Sequence, residues 1–229
     1  MALDVKLIAH TTEPVRVVAA AAKLCYSASP VSELFDGLNE ANIDQFLTVL
    51  RESGHMSPFE HASFTYAIEG VSRVATHQLV RHRIASYSQR SQRYVPAGSD
   101  RCVIPREVEN IPEARSIFEE HVRNAHGAYD RMTALGVPKE DARFILPHGC
   151  ETAIVVTMNA RELIHFFELR LCRRAQWEIR EVAGRMLVSA FGVARELFIS
   201  AGPPCVTRVC TERRSCGKPY NNIKEVIEQ

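Results

Sequence analysis

The sequence predicts an α+β fold: a single domain over residues 1–229, with a small, mostly antiparallel sheet and several long helices. Three observations point there. Leu3, Val5 and Leu7 alternate with polar residues, and Phe64, Tyr66 and Ile68 alternate with the smaller Thr65 and Ala67, which is the two-residue period of half-buried strands. Thr152 to Met158 is an apolar, β-branched run that reads as a buried strand. Between these segments lie long stretches with apolar residues three and four apart, the period of amphipathic helices.

Taken in order, Leu3 to Leu7 forms the first strand. Pro14 suits a first helical turn and opens a helix through Ala19 and Ala22 to Cys25. Ser27 to Leu38, with Pro30 and Gly37, reads as loop. Ile43, Phe46, Leu47 and Leu50 make the stripe of a second helix that stops near Gly54. After the strand to Ile68, Val71, Val74, Ala75 and Gln78 return to helical spacing. Continued, that helix would carry Gln78, Arg81, His82 and Ala85 on one face. Past Tyr87 the pattern ends. An extended chain there would turn Ser91 and Arg93 to one side and Gln92 and Tyr94 to the other.

Pro96, Gly98, Pro105 and Pro112 punctuate a loop or short-strand region. A long helix follows, with Ala114, Ile117, Phe118, His121, Val122, Ala125, Ala128, Tyr129, Met132 and Leu135 on its stripe; Gly136 and Pro138 end it. A short helix from Pro138 presents Arg143 ahead of Pro147. After the buried strand, Asn159 stands where an N-cap belongs, before a helix carrying Leu163, Phe166, Phe167 and Arg170. The last helix runs from Ala175 through Ile179, Val182, Ala183, Met186, Leu187, Ala190 and Phe191. From about residue 202 the tail reads as irregular. There is no internal repeat, low-complexity block or domain linker.

The chain has 229 residues, 46% hydrophobic and 24% charged, enough for a sizeable core. Its net charge of +1 argues against a generally basic nucleic-acid-binding domain. No apolar stretch approaches the length of a membrane span. The segment Met1 to Lys6 lacks the apolar core of a signal peptide, so the expectation is a cytoplasmic protein with its seven cysteines reduced.

The chemistry concentrates between Arg81 and Tyr94. Arg81, Arg83, Arg90 and Arg93 fall there with His82, Tyr87, Tyr94, Ser86, Ser88 and Ser91. Guanidinium forks suit phosphates and carboxylates. Two other readings compete: a solvated basic face, and a single-stranded nucleic-acid module with Tyr87 and Tyr94 as stacking platforms. Asn159 and Arg161, at a helix start, suit a pyrophosphate or an isoalloxazine edge, or are a plain cap with a solvated arginine. His55, His61, His77 and His82 fit no metal-binding spacing, and no metal is expected. Cys205, Cys210 and Cys216, with four and five residues between them, lack a fourth ligand and read as free thiols.

Arg81-His82-Arg83, seven residues, then Ser91 resembles the signature of the flavin-dependent thymidylate synthases. Further segments resemble that family in order: His55-Met56-Ser57-Pro58-Phe59-Glu60-His61, then Asn159-Ala160-Arg161, Leu169-Arg170 and Ala175-Gln176-Trp177-Glu178. The resemblance runs from about Cys25 to Trp177. It implies that dUMP gains a methyl group at C5, with carbon from 5,10-methylenetetrahydrofolate and hydride from FAD that NADPH re-reduces. No glycine-rich dinucleotide fingerprint or phosphate loop appears, so the flavin would be held by side chains and helix ends.

Position by position, the resemblance assigns dUMP to Gln78, Arg81, Gln89, Arg90, Ser91, Gln92, Arg93, Arg143 and Arg170. It assigns FAD to Ser57, Arg81, His82, Arg83, Gln89, Asn159, Arg161 and His165. His55 would lie beside the flavin and help hold the folate. Arg170 and Ser91 are the catalytic candidates, Arg170 by stabilising ionised N3 of uracil. A serine hydroxyl is a poor nucleophile without a base, and Arg90, Gln92 and Arg93 are not bases, so Ser91 reads as a residue that positions dUMP. Gln89 stands where the family often has glutamate, Gln92 where glycine is common, His165 where asparagine is frequent and Arg174 where histidine is. The resemblance also implies a homotetramer with shared active sites, small-molecule partners, and neither nucleic acid nor membrane.

Overall fold

The computed structural model describes residues 2–38, 40–95, 101–210 and 212–228. Four strands, β1 (Asp4–His10), β2 (Ser63–Ser72), β3 (Ala85–Gln89) and β4 (Glu151–Asn159), pair in the order β1-β2-β4-β3. The sheet is antiparallel, as predicted. Thr11 N donates to Ser63 O at 2.9 Å and Ala160 N to Ala62 O at 2.7 Å, so β1 and β4 both end where β2 begins. Arg90 N donates to Ala153 O at 2.9 Å, which sets the end of β3 beside the start of β4.

The longer helices are α1 (Pro14–Leu24), α3 (Glu40–Glu52), α6 (Pro112–Ala134), α8 (Ala160–Arg170) and α9 (Trp177–Val193). Short ones are α2 (Val31–Asp36), α4 (Arg73–Leu79), α5 (Arg106–Glu109), α7 (Lys139–Ala142), α10 (Arg195–Phe198) and α11 (Ile223–Ile227). Most predicted helices appear with their punctuation. Gly54 and Gly136 take positive φ just past α3 and α6, the conformation glycine adopts without a steric penalty. Asn159 Oδ1 accepts from Glu162 N at 2.8 Å and caps α8. Gln176 Oε1 accepts from Glu178 N and Ile179 N, so the last long helix begins at Trp177 and not at Ala175.

Four expectations are corrected. The presumed loop Ser27 to Leu38 contains α2, a six-residue helix with no buried residue and therefore no apolar stripe to read. The helix after β2 ends at Leu79, so Gln78, Arg81, His82 and Ala85 share no helical face. The helix closes with Val80 N bonded to Thr76 O at 3.0 Å and Arg81 N to Gln78 O at 3.3 Å, a tightened last turn, and Tyr87 Oη then donates to the His82 carbonyl at 2.7 Å. Residues 91–95 are a turn and not an extended segment. Ser91 Oγ accepts from Arg93 N at 3.2 Å and Ser91 O from Val95 N at 3.0 Å, a side-chain bond that competes with the ladder. The tail holds a 3-10 turn at Pro204–Val206 and α11, and buries Tyr220. The start of the expected Pro96 to Pro112 loop, with Pro96 and Gly98, lies outside the described residues; beyond it, Cys102 forms an antiparallel bridge with Cys150 and α5 follows.

The chain packs as two compact units. One comprises Ile68–Arg81 and Ser88–Val155, with the first residues through Asp4; the other comprises Val5–Ala67, His82–Tyr87 and Val156 onward. In the first, Tyr129 of α6 packs with Ala142, Leu146 and Cys150, flanked by Cys102, Met132 and Val137. In the second, Phe64, Tyr66, Phe166, Phe167 and Phe198 are fully buried, and the Phe64 and Phe198 rings meet edge to face at 5.3 Å. Burying a side chain of that kind stabilises the fold by about 1.5–3 kcal/mol. Among the described residues, no helix is long and apolar enough to cross a membrane.

Candidate active site

In the first unit, the end of β3 and its turn carry Gln89, Arg90, Ser91, Gln92 and Arg93, and the short α7 segment delivers Arg143. Gln89 Nε2 donates to Thr76 Oγ1 at 3.0 Å and to Thr152 Oγ1 at 3.4 Å, which fixes the strand end from two sides. Arg93 Nε pairs with Glu140 Oε2 at 2.8 Å, and Arg143 Nε donates to the Glu140 carbonyl at 3.1 Å. Both predicted phosphate arginines therefore meet at Glu140. Gln78 sits half-buried on α4, and Arg81 is exposed just after it.

Arg73, absent from the sequence reading, joins this set. Its Nη2 donates to the Arg90 carbonyl at 2.9 Å, and its Nε is buried without an acceptor. Burial, then the nearby charge of Arg143, lowers its pKa. Like charges held together with a buried donor unsatisfied are what an anion would relieve. The sequence signal was hidden because Arg73 lies in the helical stretch before the arginine-rich run.

The second unit holds a buried relay. His82 is 4% exposed and packs edge to face on Phe166, centroids 4.9 Å apart. Arg170 Nε lies 3.1 Å from His82 Nε2, and Glu162 Oε1 lies 3.3 Å from His82 Nδ1. A guanidinium only donates, so Nε2 accepts and Nδ1 carries the proton that Glu162 receives. Burial, then Arg170, then His165 push the His82 pKa down to about 4, so the ring is neutral at pH 7. The contact with Glu162 is thus a hydrogen bond from a neutral imidazole to a carboxylate. Burial raises the Glu162 pKa and lowers that of Arg170. Burial, then the charge of Glu162, raises that of the Tyr87 phenol. Glu162 was not anticipated as a site residue, and Tyr87 was weighed only as a stacking platform; Glu162 sits at the third position of α8, where sequence offers only a helix-start acid.

Around the relay, Arg83 and His165 are exposed, with His165 and His82 centroids 5.7 Å apart. Arg161 Nη1 pairs with Glu60 Oε1 at 2.5 Å. Ser57 is exposed at the start of a 3-10 turn, and His55 Nδ1 lies 3.2 Å from Tyr26 Oη. At the start of α8, Ala160 N is bonded to Ala62 and Glu162 N to Asn159. Two of the first backbone donors of α8 are thus already taken. Elsewhere, Cys102 Sγ donates to Cys150 Sγ at 3.6 Å, and Cys150 Sγ lies 3.6 Å from His126 Nε2. The Cys102 hydrogen bond, against the effect of burial and with help from His126 and Arg73, draws the Cys150 pKa down to about 6.

The antiparallel sheet, the arginine cluster of the first unit and, separately, the histidine-held arginine of the second suit a nucleotide-handling enzyme of α+β class. The profile of the thymidylate synthase complementing protein family matches residues 6–194. The flavin-dependent thymidylate synthase of Geobacter sulfurreducens is 50% identical over 94% of this chain and 94% of its own. That of Clostridium tetani is 48% identical over 95% and 94%. The chain belongs to the flavin-dependent thymidylate synthase family. The crystal structure of the UMP/dUMP methylase PolB from Streptomyces cacaoi bound with 5-Br dUMP shares the fold. Its TM-score is 0.76, with 24% identity over 87% of this chain and 96% of that one.

Proposed function

We propose that the protein catalyses reductive methylation of dUMP to dTMP, with FAD as the flavin, NADPH as its reductant and 5,10-methylenetetrahydrofolate as the carbon donor. The observation that carries this reading is the Glu162–His82–Arg170 relay beside the Arg-His-Arg signature. Its shape suits ring chemistry on uracil. Glu162 fixes the tautomer of His82, His82 accepts from Arg170 Nε at 3.1 Å, and the guanidinium is held in one orientation. Charge builds on the pyrimidine as C5 attacks carbon, and a cation already oriented stabilises that charge without reorganising. Arg170 stays protonated, so it stabilises the ring without competing as an acid.

In the first unit, Arg73, Arg90, Arg93 and Arg143 are matched to a phosphate monoester, and Ser91 to a hydrogen bond that places it. The fit of a flavin dinucleotide rests on Arg83 and Arg161 for its phosphates, with His165 and Asn159 close to the relay and Ser57 exposed at its 3-10 turn. Bound there, the flavin supplies the hydride that the transferred one-carbon unit needs to become a methyl group. His55 and its Tyr26 partner present an aromatic pair, centroids 5.9 Å apart, suited to a pterin edge. We further propose a homotetramer whose active sites draw residues from more than one copy. Ile117, Leu135 and Phe144 are 63%, 85% and 83% exposed in the single chain, an amount of open apolar surface that suits subunit contacts.

The direct test is optical. Protein incubated with FAD and desalted should keep the flavin absorption bands, and dUMP should perturb them. A desalted protein with no flavin band would refute the proposal.

A further inference from the structure

The residues past Ala201 have no task in the reaction above. Three of their cysteines, Cys205, Cys210 and Cys216, lack a fourth ligand in the sequence. The structure supplies one from a distant segment. Cys172, two residues beyond Arg170 in the loop after α8, lines the same cavity as all three, with Pro203 and Tyr220 among its walls. We propose that Cys172, Cys205, Cys210 and Cys216 form a four-thiolate site for one zinc ion, which ties the tail to the end of α8.

Four thiolates select zinc or an iron–sulfur cluster. The spacing of the cysteines favours zinc. The four residues between Cys205 and Cys210 fall within the usual spacing of paired zinc cysteines.

The backbone already points donors at two of the sulfurs. Tyr220 N donates to Cys205 Sγ and Lys218 N to Cys216 Sγ, each at 3.4 Å. Gly217 makes the second bond accessible by taking φ +71°, a conformation other residues reach at a cost. Outer donors of this kind hold a ligating atom in place. Zinc with four thiolates carries a net charge of −2; Glu212 also lines the cavity and pairs with Arg174 at 2.6 Å, which leaves Arg173 and Lys218 to offset it. Binding exchanges the four thiol protons for one Zn²⁺, so charge and atoms balance.

The sulfurs ring the cavity more widely than a bound ion requires. Among the described residues, only Cys102, His126 and Cys150 have three ligand atoms mutually within 4.8 Å. Zinc–sulfur bonds of about 2.3 Å put tetrahedral sulfurs about 3.8 Å apart. Zinc binding therefore requires these side chains to draw together, and Cys205, Cys210 and Cys216 sit on loop segments and a 3-10 turn, outside any long helix. The Cys102–Cys150–His126 set is by contrast a hydrogen-bonded chain with three ligands, and it serves as the control. Because Cys172 follows Arg170 so closely, zinc would brace the helix end that aims the guanidinium.

The experiment is metal analysis of the full chain purified with FAD and without chelator. Wild type should carry about one zinc per chain. Cys172→Ser and the double variant Cys205→Ser/Cys216→Ser should lose nearly all of it, whereas Cys150→Ser should keep it. Cobalt(II) in place of zinc should give wild type thiolate charge-transfer and tetrahedral d–d bands that these variants lack. Should the variants misfold, native alkylation of wild type reads the same site: Cys25 should label while the four tail-site cysteines are protected. Three results would overturn the proposal: wild type without stoichiometric metal, iron with labile sulfide, or zinc lost only from Cys150→Ser. Equal labelling of the four cysteines and Cys25 would overturn it as well.

Discussion

Acidification should destabilise this protein through His82 in particular, and the size of the effect follows from its surroundings. Burial, Arg170 and His165 hold the folded pKa at about 4, against about 6.5 in an unfolded chain. Below pH 6.5 the unfolded chain takes a proton that the folded one refuses, so stability falls as pH falls. The loss runs from about pH 6.5 to about pH 4 and levels off below, amounting to about 3 kcal/mol in total and about 2 kcal/mol by pH 5. In a chain of this length, 2 kcal/mol corresponds to about 4–8 °C in Tm. The assay compares thermal unfolding of wild type and His82→Asn between pH 7.5 and 5. Asparagine can still bridge Glu162 and Arg170 but does not titrate. Wild type should be the more stable at pH 7.5, and its advantage should shrink by that amount at pH 5. Parallel curves for the two proteins would refute the buried, neutral histidine.

Other predictions concern the substrate. Arg170→Ala should nearly abolish dTMP formation while sparing NADPH oxidation more, because its proposed partner is the uracil ring; equal losses in the two half-reactions would mean that Arg170 serves the flavin or the fold. Ser91→Ala should keep measurable turnover with weaker dUMP binding. A hydrogen bond of about 0.5–3 kcal/mol corresponds to about a two- to 150-fold loss. Product lost completely, with dUMP and FAD still bound normally, would restore a nucleophile role. Glu140→Gln should lower the KM for dUMP by up to about five-fold, because the half-exposed pair with Arg93 is worth about 0–1 kcal/mol and competes with phosphate. A raised KM would show that Glu140 instead holds Arg93 in place for the substrate.

Periodicity and capping chemistry revealed most of the fold. Pro14, Gly54, Gly136 and Asn159 mark helix ends, and they do so because each satisfies a local backbone requirement that sequence states directly. What failed was decided at a distance or between side chains. The helix Arg73–Leu79 tightens and stops with no glycine or proline to mark its end, so no local pattern encodes that choice. Ser91 breaks the strand with its own hydroxyl, an outcome short polar residues offer but do not announce. The candidate residues from Arg81 to Ser91 were readable as a contiguous signature. Glu162 and Arg73 were not, because each matters only once chain folding sets it beside His82 or Arg143. Cys172 escaped attention for the same reason, lying 33 positions before Cys205.

The central claim is tested most directly with dUMP tritiated at C5, assayed for release of tritium into water alongside dTMP. With FAD, NADPH and 5,10-methylenetetrahydrofolate all present, tritium and dTMP should appear in equal amounts, and omission of FAD should stop dTMP formation. No dTMP from flavin-loaded protein, or dTMP formed equally well without flavin, would contradict the account.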